Sequence, residues 1–452
     1  MSTRTASTMS RIPHADLWLL GTASFFSRVQ WIVPFYYHAD SRANEAIFLS
    51  LAISLLVILA GYALACVINP RIFAFLARSA VLGAFLFLLW IQLRHDLITA
   101  SDMSVAMRML VVSVCLVLAT LGASRLVPIW PRLRAALLAA TVIGTASVFA
   151  MVAIFANRIE IFGEAGAHHR PVVVLLLDEM SGGTAHDMVA ELKRRQLQVE
   201  SWEVPSIGQN TLDVIPAIFS GSALPGARPC TSTAICGHSR VVDFARMSVA
   251  RDDVDIVGAY HRYCVIHGLR HCVNPEVGSE VPLLIAFFCA LPVRDLFSTY
   301  FDCPGYDALS HDYFVAAKRE LYAAPFWSRG GLLYAHLLIP HPPGAGGELR
   351  LADAYAANLE RAGRVVSGVA DRFDQTPFSD DFSLVIVSDH HLRSEMWCTK
   401  QPYASHDCDL PAAMRSAGVP FIIATRGGAV AHRVPSSNVD LLPIVIELSR
   451  PR

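Results

Sequence analysis

Three short stretches of this chain carry side chains that could do chemistry together. The apolar run 172–177 closes on Asp178, a second segment opens at Thr211 and ends at Gly221, and the apolar run 384–387 is followed by Ser388, Asp389 and His390. They supply a hydroxyl, two carboxylates and an imidazole. A divalent cation needs such a set to turn a hydroxyl into a nucleophile at neutral pH. Two carboxylate oxygens, one ring nitrogen and a threonine oxygen make a four-coordinate set that suits zinc. Manganese, which accepts oxygen-rich ligation, is the second choice. Asp178, Thr211, Asp389 and His390 are therefore the candidate metal ligands, with Thr211 the candidate nucleophile. A helix beginning near Thr211 would add free N–H groups and a dipole that favour an anionic phosphate.

Residues so far apart in sequence need a fold that gathers them. The runs 172–177, 332–339, 384–387 and 421–424 read as strands, the first a continuous apolar run of the kind buried on both faces. Helical patterns cover 184–195, 212–219, 353–373 and 439–448, the last despite Pro443. Strands alternating with helices predict an open, mostly parallel α/β sheet with helices on both faces. Ligands in such sheets bind beyond the carboxyl ends of strands. Asp178, His341 and the Asp389-His390 pair all fall just past predicted strand ends. The chain shows no internal repeat, no dinucleotide-binding glycine fingerprint and no P-loop.

The remaining third of the chain is of another kind. Of 452 residues, 54% are hydrophobic, and the mean hydropathy of +0.43 is too high for an ordinary soluble enzyme. The excess lies before residue 157, where 46–68, 72–93, 107–127 and 133–156 are each long and apolar enough to span a bilayer. The stretch 15–37 carries Arg28, Gln30 and Pro34 and reads as a fifth span or as an interfacial helix. The expected organisation is an anchor of four or five helices over 1–156, a linker over 157–170 with His168 and His169 solvated, and an extracytoplasmic domain over 171–452. Arginines set the orientation: Arg71, Arg125, Arg132 and Arg134 fall on the cytoplasmic side, so the region after residue 156 lies outside. No cleavable signal peptide is evident. Cys66 and Cys115 sit inside spans, while the other eight cysteines all come after the last one and read as disulfides. Proximity suggests 230–236, 264–272, 289–303 and 398–408; a zinc cluster is the competing reading, although no CxxC pair occurs. The apolar stretch 282–293 is too short to span and reads as a buried helix or a surface leaning on the bilayer. A net charge of −1 gives no reason to expect nucleic acid.

Over residues 170–449 these motifs resemble the alkaline phosphatase superfamily, and within it the sulfatase-like, membrane-anchored hydrolases and transferases. That branch is similar to the phosphoethanolamine transferases and lipoteichoic acid synthases. Glu179 stands where many sulfatases have a second aspartate, and Thr211, ten residues before Gly221, stands where sulfatases carry the residue converted to formylglycine. Asp213 and Ile215 replace the proline and arginine of the sulfatase signature, which argues against a formylglycine enzyme. A threonine is what the transferase branch uses to carry a covalent phospho-intermediate. The segment 334–343 resembles the one whose histidine contacts substrate, a role that would fall to His341, and His406 lies where transferases often place another. Either histidine could stabilise equatorial oxygens or protonate a leaving alkoxide. His391 replaces the glycine that usually comes after the Asp-His pair; it and Glu179 are candidates for supporting the ligands or touching substrate.

The resemblance implies transfer of a phosphoryl group from a phospholipid or other phosphodiester donor to an envelope glycan or lipid, through Thr211, at the inner membrane. The alternatives are a phosphodiesterase, phosphatase or sulfuric ester hydrolase using the same site, and an inactive sulfatase-like scaffold.

Overall fold

The structure, a computed structural model, describes residues 16–21, 42–97, 127–137, 158–162, 170–275, 306–342, 350–399, 408–427 and 433–450, less positions 232, 239 and 259, with single positions 25, 114, 118, 139 and 403. The helices Arg42–Val67 and Pro70–Leu97 fall in one compact unit and residues 170–275 and 306–450 in a second. In the first unit, Leu49–Val67 has a mean hydropathy of 2.4, and among the described residues it is the one helix long and apolar enough to cross a membrane. Leu55, Leu56, Leu59 and Leu64 on it are exposed. The second helix contains the expected span 72–93. The expected spans 15–37, 107–127 and 133–156, and the apolar stretch 282–293, lie wholly or largely outside the described residues.

In the second unit seven strands build one sheet: β1 (Val172–Asp178), β2 (Gln198–Pro205), β3 (Val254–Gly258), β4 (His271–Val273), β5 (Leu332–Pro340), β6 (Phe382–Ser388) and β7 (Gly418–Arg426). Their spatial order is β2-β7-β6-β1-β5-β3-β4. Strands β6, β1, β5, β3 and β4 are parallel, while β7 runs antiparallel to both β6 and β2. Among the described residues, five helices of eight or more residues cover the sheet: α1 (His186–Arg194), α2 (Thr211–Ser220), α3 (Tyr306–Ala323), α4 (Leu351–Phe373) and α5 (Leu441–Leu448).

The alternation of side chains along β1 divides the core. Val172, Val174 and Leu176 pack with Val214, Ile218 and Phe219 of α2 and Ile444 and Val445 of α5. Val173, Leu175 and Leu177 pack on the other face with Met188 of α1, Leu321 of α3 and Val365 and Val369 of α4. Both faces of β1, β5 and β6 are fully buried, which is why 172–177 and 384–387 are unbroken apolar runs and β5 is apolar but for the buried His336. Each such side chain contributes about 1.5–3 kcal/mol on leaving water. Adjacent strands β6, β1 and β5 end side by side, because Ser388 lies level with Leu177 and Pro340 with Asp178. The apolar registers therefore fix the spacing of the polar residues at the strand ends.

Three disulfides form as proximity suggested: Cys230–Cys236, Cys264–Cys272 and Cys398–Cys408. The fourth expected pair, 289–303, lies outside the described residues.

Candidate active site

Asp178 is the last residue of β1, Asp389 and His390 come directly after β6, and Thr211 is the first residue of α2. Helix α2 begins there because Asn210 is extended and its N–H is held by the Asp213 side chain at 2.9 Å. It stops at Gly221, whose φ of 68° needs no Cβ, with the Ser222 N–H donating to the Ala217 carbonyl at 3.0 Å. The buried face of α2 locks its position on β1 and so places Thr211 over the strand ends. From the back, His261 Nε2 lies 3.0 Å from the Thr211 carbonyl, and its ring stacks on Phe244.

The four side chains converge. Thr211 Oγ1 lies 3.3 Å from Asp178 Oδ1 and 3.4 Å from His390 Nε2. His390 Nε2 lies 3.6 Å from Asp178 Oδ1 and 3.5 Å from Asp389 Oδ2. Four-coordinate zinc with ligands at about 2.0–2.1 Å has ligand-to-ligand edges of roughly 3.3–3.4 Å, close to these four spacings, and the Asp178, Asp389 and His390 ligand atoms all lie within 4.8 Å of one another.

The hydrogen bonds around the cluster point the same way. His390 Nδ1 lies 3.0 Å from the His391 carbonyl; the carbonyl can only accept, so Nδ1 donates to it and Nε2 is the ring nitrogen turned toward the cluster. Asp389 Oδ1 accepts the N–H groups of Glu179 at 3.0 Å and His390 at 2.6 Å, whereas the buried Oδ2 has no hydrogen-bond partner. A fully buried carboxylate oxygen left unpaired costs stability unless something positive sits against it. Burial pushes the Asp178 carboxyl well above its usual range, and the Asp389 and Glu179 charges push it further in the same direction. A divalent cation would relieve all three conditions, so Asp178, Asp389, His390 and Thr211 fit one. Among the described residues, Asp178, Asp389 and His390 are the one His, Asp or Glu group so arranged.

The polypeptide around these groups is tied down. Asn438, just ahead of α5, gives its amide N–H groups to the Ser388 and Asp389 carbonyls and accepts from the Ile207 N–H at 2.9 Å. Ser388 Oγ donates to the Leu177 carbonyl at 2.9 Å and accepts from Met180 N–H at 2.8 Å, linking β6 to the end of β1.

Glu179 is not part of the cluster. Its φ of 68° is left-handed, costly for a residue with a Cβ, and it carries the carboxylate to a different set of donors. Oε1 accepts from the Arg393 backbone N–H at 3.0 Å and Arg393 Nε at 2.8 Å, Trp397 Nε1 donates to Oε2 at 2.9 Å, and His341 Nε2 lies 3.6 Å from Oε2. Burial alone would raise its pKa, but Arg393, His341 and His390 outweigh burial and hold it at about 2. His341 comes directly after β5, packs edge-on against Trp397, and is held at its carbonyl by Asn358 Nδ2 at 2.8 Å. His391 contributes its backbone carbonyl, and its φ is not left-handed, so the site does not need the glycine expected there. His406 lies outside the described residues.

A cleft of about 400 Å³ opens onto Thr211 and Asp178, with His341, Tyr260, Trp397 and Arg393 among its walls. Arg393, Trp397, Tyr260 and Asn438 were not singled out by the sequence. Only Arg393 had a signal there, as a fixed charge three residues after His390.

No protein-family model matches the chain, and no curated protein matches it. Among solved structures it is similar to an alkaline phosphatase superfamily protein of Vibrio parahaemolyticus, at 11% identity and TM-score 0.33 over 65% of this chain and 69% of that one. It is similar to the soluble domain of lipooligosaccharide phosphoethanolamine transferase A of Neisseria meningitidis, at 12% identity and TM-score 0.32 over 65% and 92%. A third is the lipoteichoic acid synthase LtaP of Listeria monocytogenes, at 11% identity and TM-score 0.30 over 62% and 71%. A 2-O GAG sulfatase also matches. These structures are of the superfamily that the motifs resemble, but likenesses this distant lend no weight to an activity, which stands on the site's own geometry.

Proposed function

We propose that the chain is a membrane-anchored, metal-dependent transferase that moves a phosphoryl group from a phospholipid or other phosphodiester donor to an envelope glycan or lipid, through Thr211. The observation that carries this reading is the position of Thr211 Oγ1, 3.3 Å from Asp178 Oδ1 and 3.4 Å from His390 Nε2, at the floor of a cleft. Asp178, Asp389, His390 and Thr211 would hold the cation, zinc first and manganese second. When bound, it supplies Lewis acidity that lowers the pKa of the threonine hydroxyl and offsets charge on the transferring group.

The chain's own residues do the rest. Thr211 Oγ1 gives up its proton to water in the open cleft and attacks phosphorus; the new bond is Oγ1–P and the bond lost joins phosphorus to the donor alcohol. His341, which lines the same cleft, protonates the departing alkoxide. An acceptor hydroxyl gives its proton to the now neutral His341, attacks the phosphothreonine and breaks the Oγ1–P bond, and Thr211 Oγ1 regains a proton from water in the cleft. His406 is proposed as a second substrate histidine.

The rest of the chain supports an extracytoplasmic enzyme at a membrane. The helix Leu49–Val67 turns leucines outward, the arginine distribution favours an external second unit, and three disulfides suit an oxidising compartment. The proposed boundaries are an anchor over 1–156, a linker over 157–170 and a catalytic domain over 171–452. Anchoring raises the effective concentration of a lipid substrate.

The test is mass spectrometry of the Thr211 peptide after incubating the zinc-loaded full chain with phospholipid vesicles. A headgroup-phosphate adduct on Thr211 that disappears in Thr211→Val supports the reading. Turnover of a phosphodiester that persists in Thr211→Val would overturn it.

A further inference from the structure

A phosphoryl group in transfer spreads negative charge over three equatorial oxygens, and one cation cannot face them all. Among the described residues lining the cleft, Arg393 alone carries a permanent positive charge. It is held on two sides. Nε donates to Glu179 Oε1 at 2.8 Å, and Nη1 donates at 2.7 Å to the side chain of Asn210, the residue directly before Thr211. Its backbone N–H is fixed to the same Glu179 oxygen at 3.0 Å. A guanidinium has five N–H donors in a planar fork, and these two side-chain bonds use two of them. The side chain keeps 23% of its surface exposed, on the cleft side of a fully buried Glu179.

We propose that Arg393 is the oxyanion-binding residue of the site: its remaining N–H groups hydrogen-bond the non-bridging oxygens of the phosphoryl group as it passes to Thr211, and Glu179 is the positioning residue that fixes the guanidinium there. The proposal rests on the reading of Thr211 as the group that receives phosphorus. It explains two features that the metal cluster leaves unused. One is the left-handed Glu179, whose carboxylate is spent on Arg393 and Trp397 rather than on the cation. The other is the bond from Arg393 to Asn210, which sets the guanidinium against the first turn of α2, where an anion is already favoured. An arginine suits this place better than a lysine because its planar fork meets two oxygens at once.

The test titrates inorganic phosphate into the zinc-loaded full chain in detergent and tracks binding by calorimetry, with zinc content measured in parallel. Arg393→Lys keeps the charge beside Glu179 and should weaken phosphate binding several-fold. The double variant Glu179→Gln/Arg393→Gln removes both charges of the pair, leaves no unpaired buried carboxylate, and should weaken binding at least tenfold with zinc content unchanged. With a phosphodiester substrate the double variant should lose on the order of 10²–10³ in kcat. Phosphate affinity equal to wild type in the double variant, or no phosphate binding by the zinc-loaded wild type, overturns the assignment. Weakened phosphate binding without any Thr211 adduct upholds Arg393 and instead removes Thr211 as the nucleophile.

Discussion

Glu179→Ala should destabilise the second unit by about 3–5 kcal/mol, and the geometry gives that figure by two routes. Three donors lose their acceptor: the Arg393 N–H, Arg393 Nε and Trp397 Nε1, at 3.0, 2.8 and 2.9 Å. Removing one partner of a buried ion pair costs about 3–5 kcal/mol. Independently, the Glu179 carboxyl is lowered from its usual 4.5 to about 2, which at about 1.36 kcal/mol per unit gives roughly 3 kcal/mol. Arg393 is partly exposed and can regain water, which favours the lower end of the range. For a unit of this size a loss of about 3–5 kcal/mol corresponds to a fall in Tm of about 6–20 °C. The assay is thermal unfolding of the full chain in detergent by tryptophan fluorescence, wild type beside Glu179→Ala and Glu179→Gln. The pH dependence has a definite sign. A carboxyl with a depressed folded-state pKa contributes stability above the unfolded value of 4.5 and loses it as pH falls toward 2. The gap between wild type and Glu179→Gln should therefore be widest above pH 5 and shrink as the solution is acidified. A gap below 1 kcal/mol, or one that does not change with pH, would refute the role given to this residue.

The same contacts set three other outcomes. Asn438→Ala removes the amide that braces the Ser388 and Asp389 carbonyls and the Ile207 N–H; it should cost about 2–3 kcal/mol in unfolding experiments and weaken zinc about 10–100-fold by competition with a chelator. Zinc affinity should rise with pH, because burial and the neighbouring Asp389 charge hold a proton on Asp178 that must leave when metal binds; affinity that is flat across the acid range would contradict this. Thr211→Val preserves the buried methyl and the helix, so it should abolish transfer to an acceptor alcohol while shifting Tm by only a few degrees; retained transfer would exclude the hydroxyl.

How much of this was legible in sequence depended on burial. Strands β1, β5 and β6 are covered on both faces, so their apolar runs had one reading, and the residues ending them became visible as a set. Strand β2 escaped notice because it is an edge strand, with exposed glutamates at 200 and 203 among its residues. In β3 the buried Asp255 breaks the apolar pattern. Its partner Arg270, at 2.8 and 2.7 Å, becomes its neighbour only once the chain folds. The last helix was expected from 439, but a short 3-10 turn from Asn438 to Asp440 precedes α5, and that turn is what aims the Asn438 amide at β6. Glu179 shows the limit of motif reading. Its place beside Asp178 made it a candidate for supporting the ligands or touching substrate, but only the left-handed backbone angle reveals that its carboxylate goes to Arg393.

The central claim is that Asp178, Thr211, Asp389 and His390 surround a cation. Metal content of the purified full chain, measured by mass spectrometry after dialysis against trace zinc, tests it most directly. The account predicts one tightly held ion per chain in wild type and less than a tenth of that in Asp389→Ala at unchanged helix and strand content. Equal metal in the two proteins, or none in wild type, would contradict it.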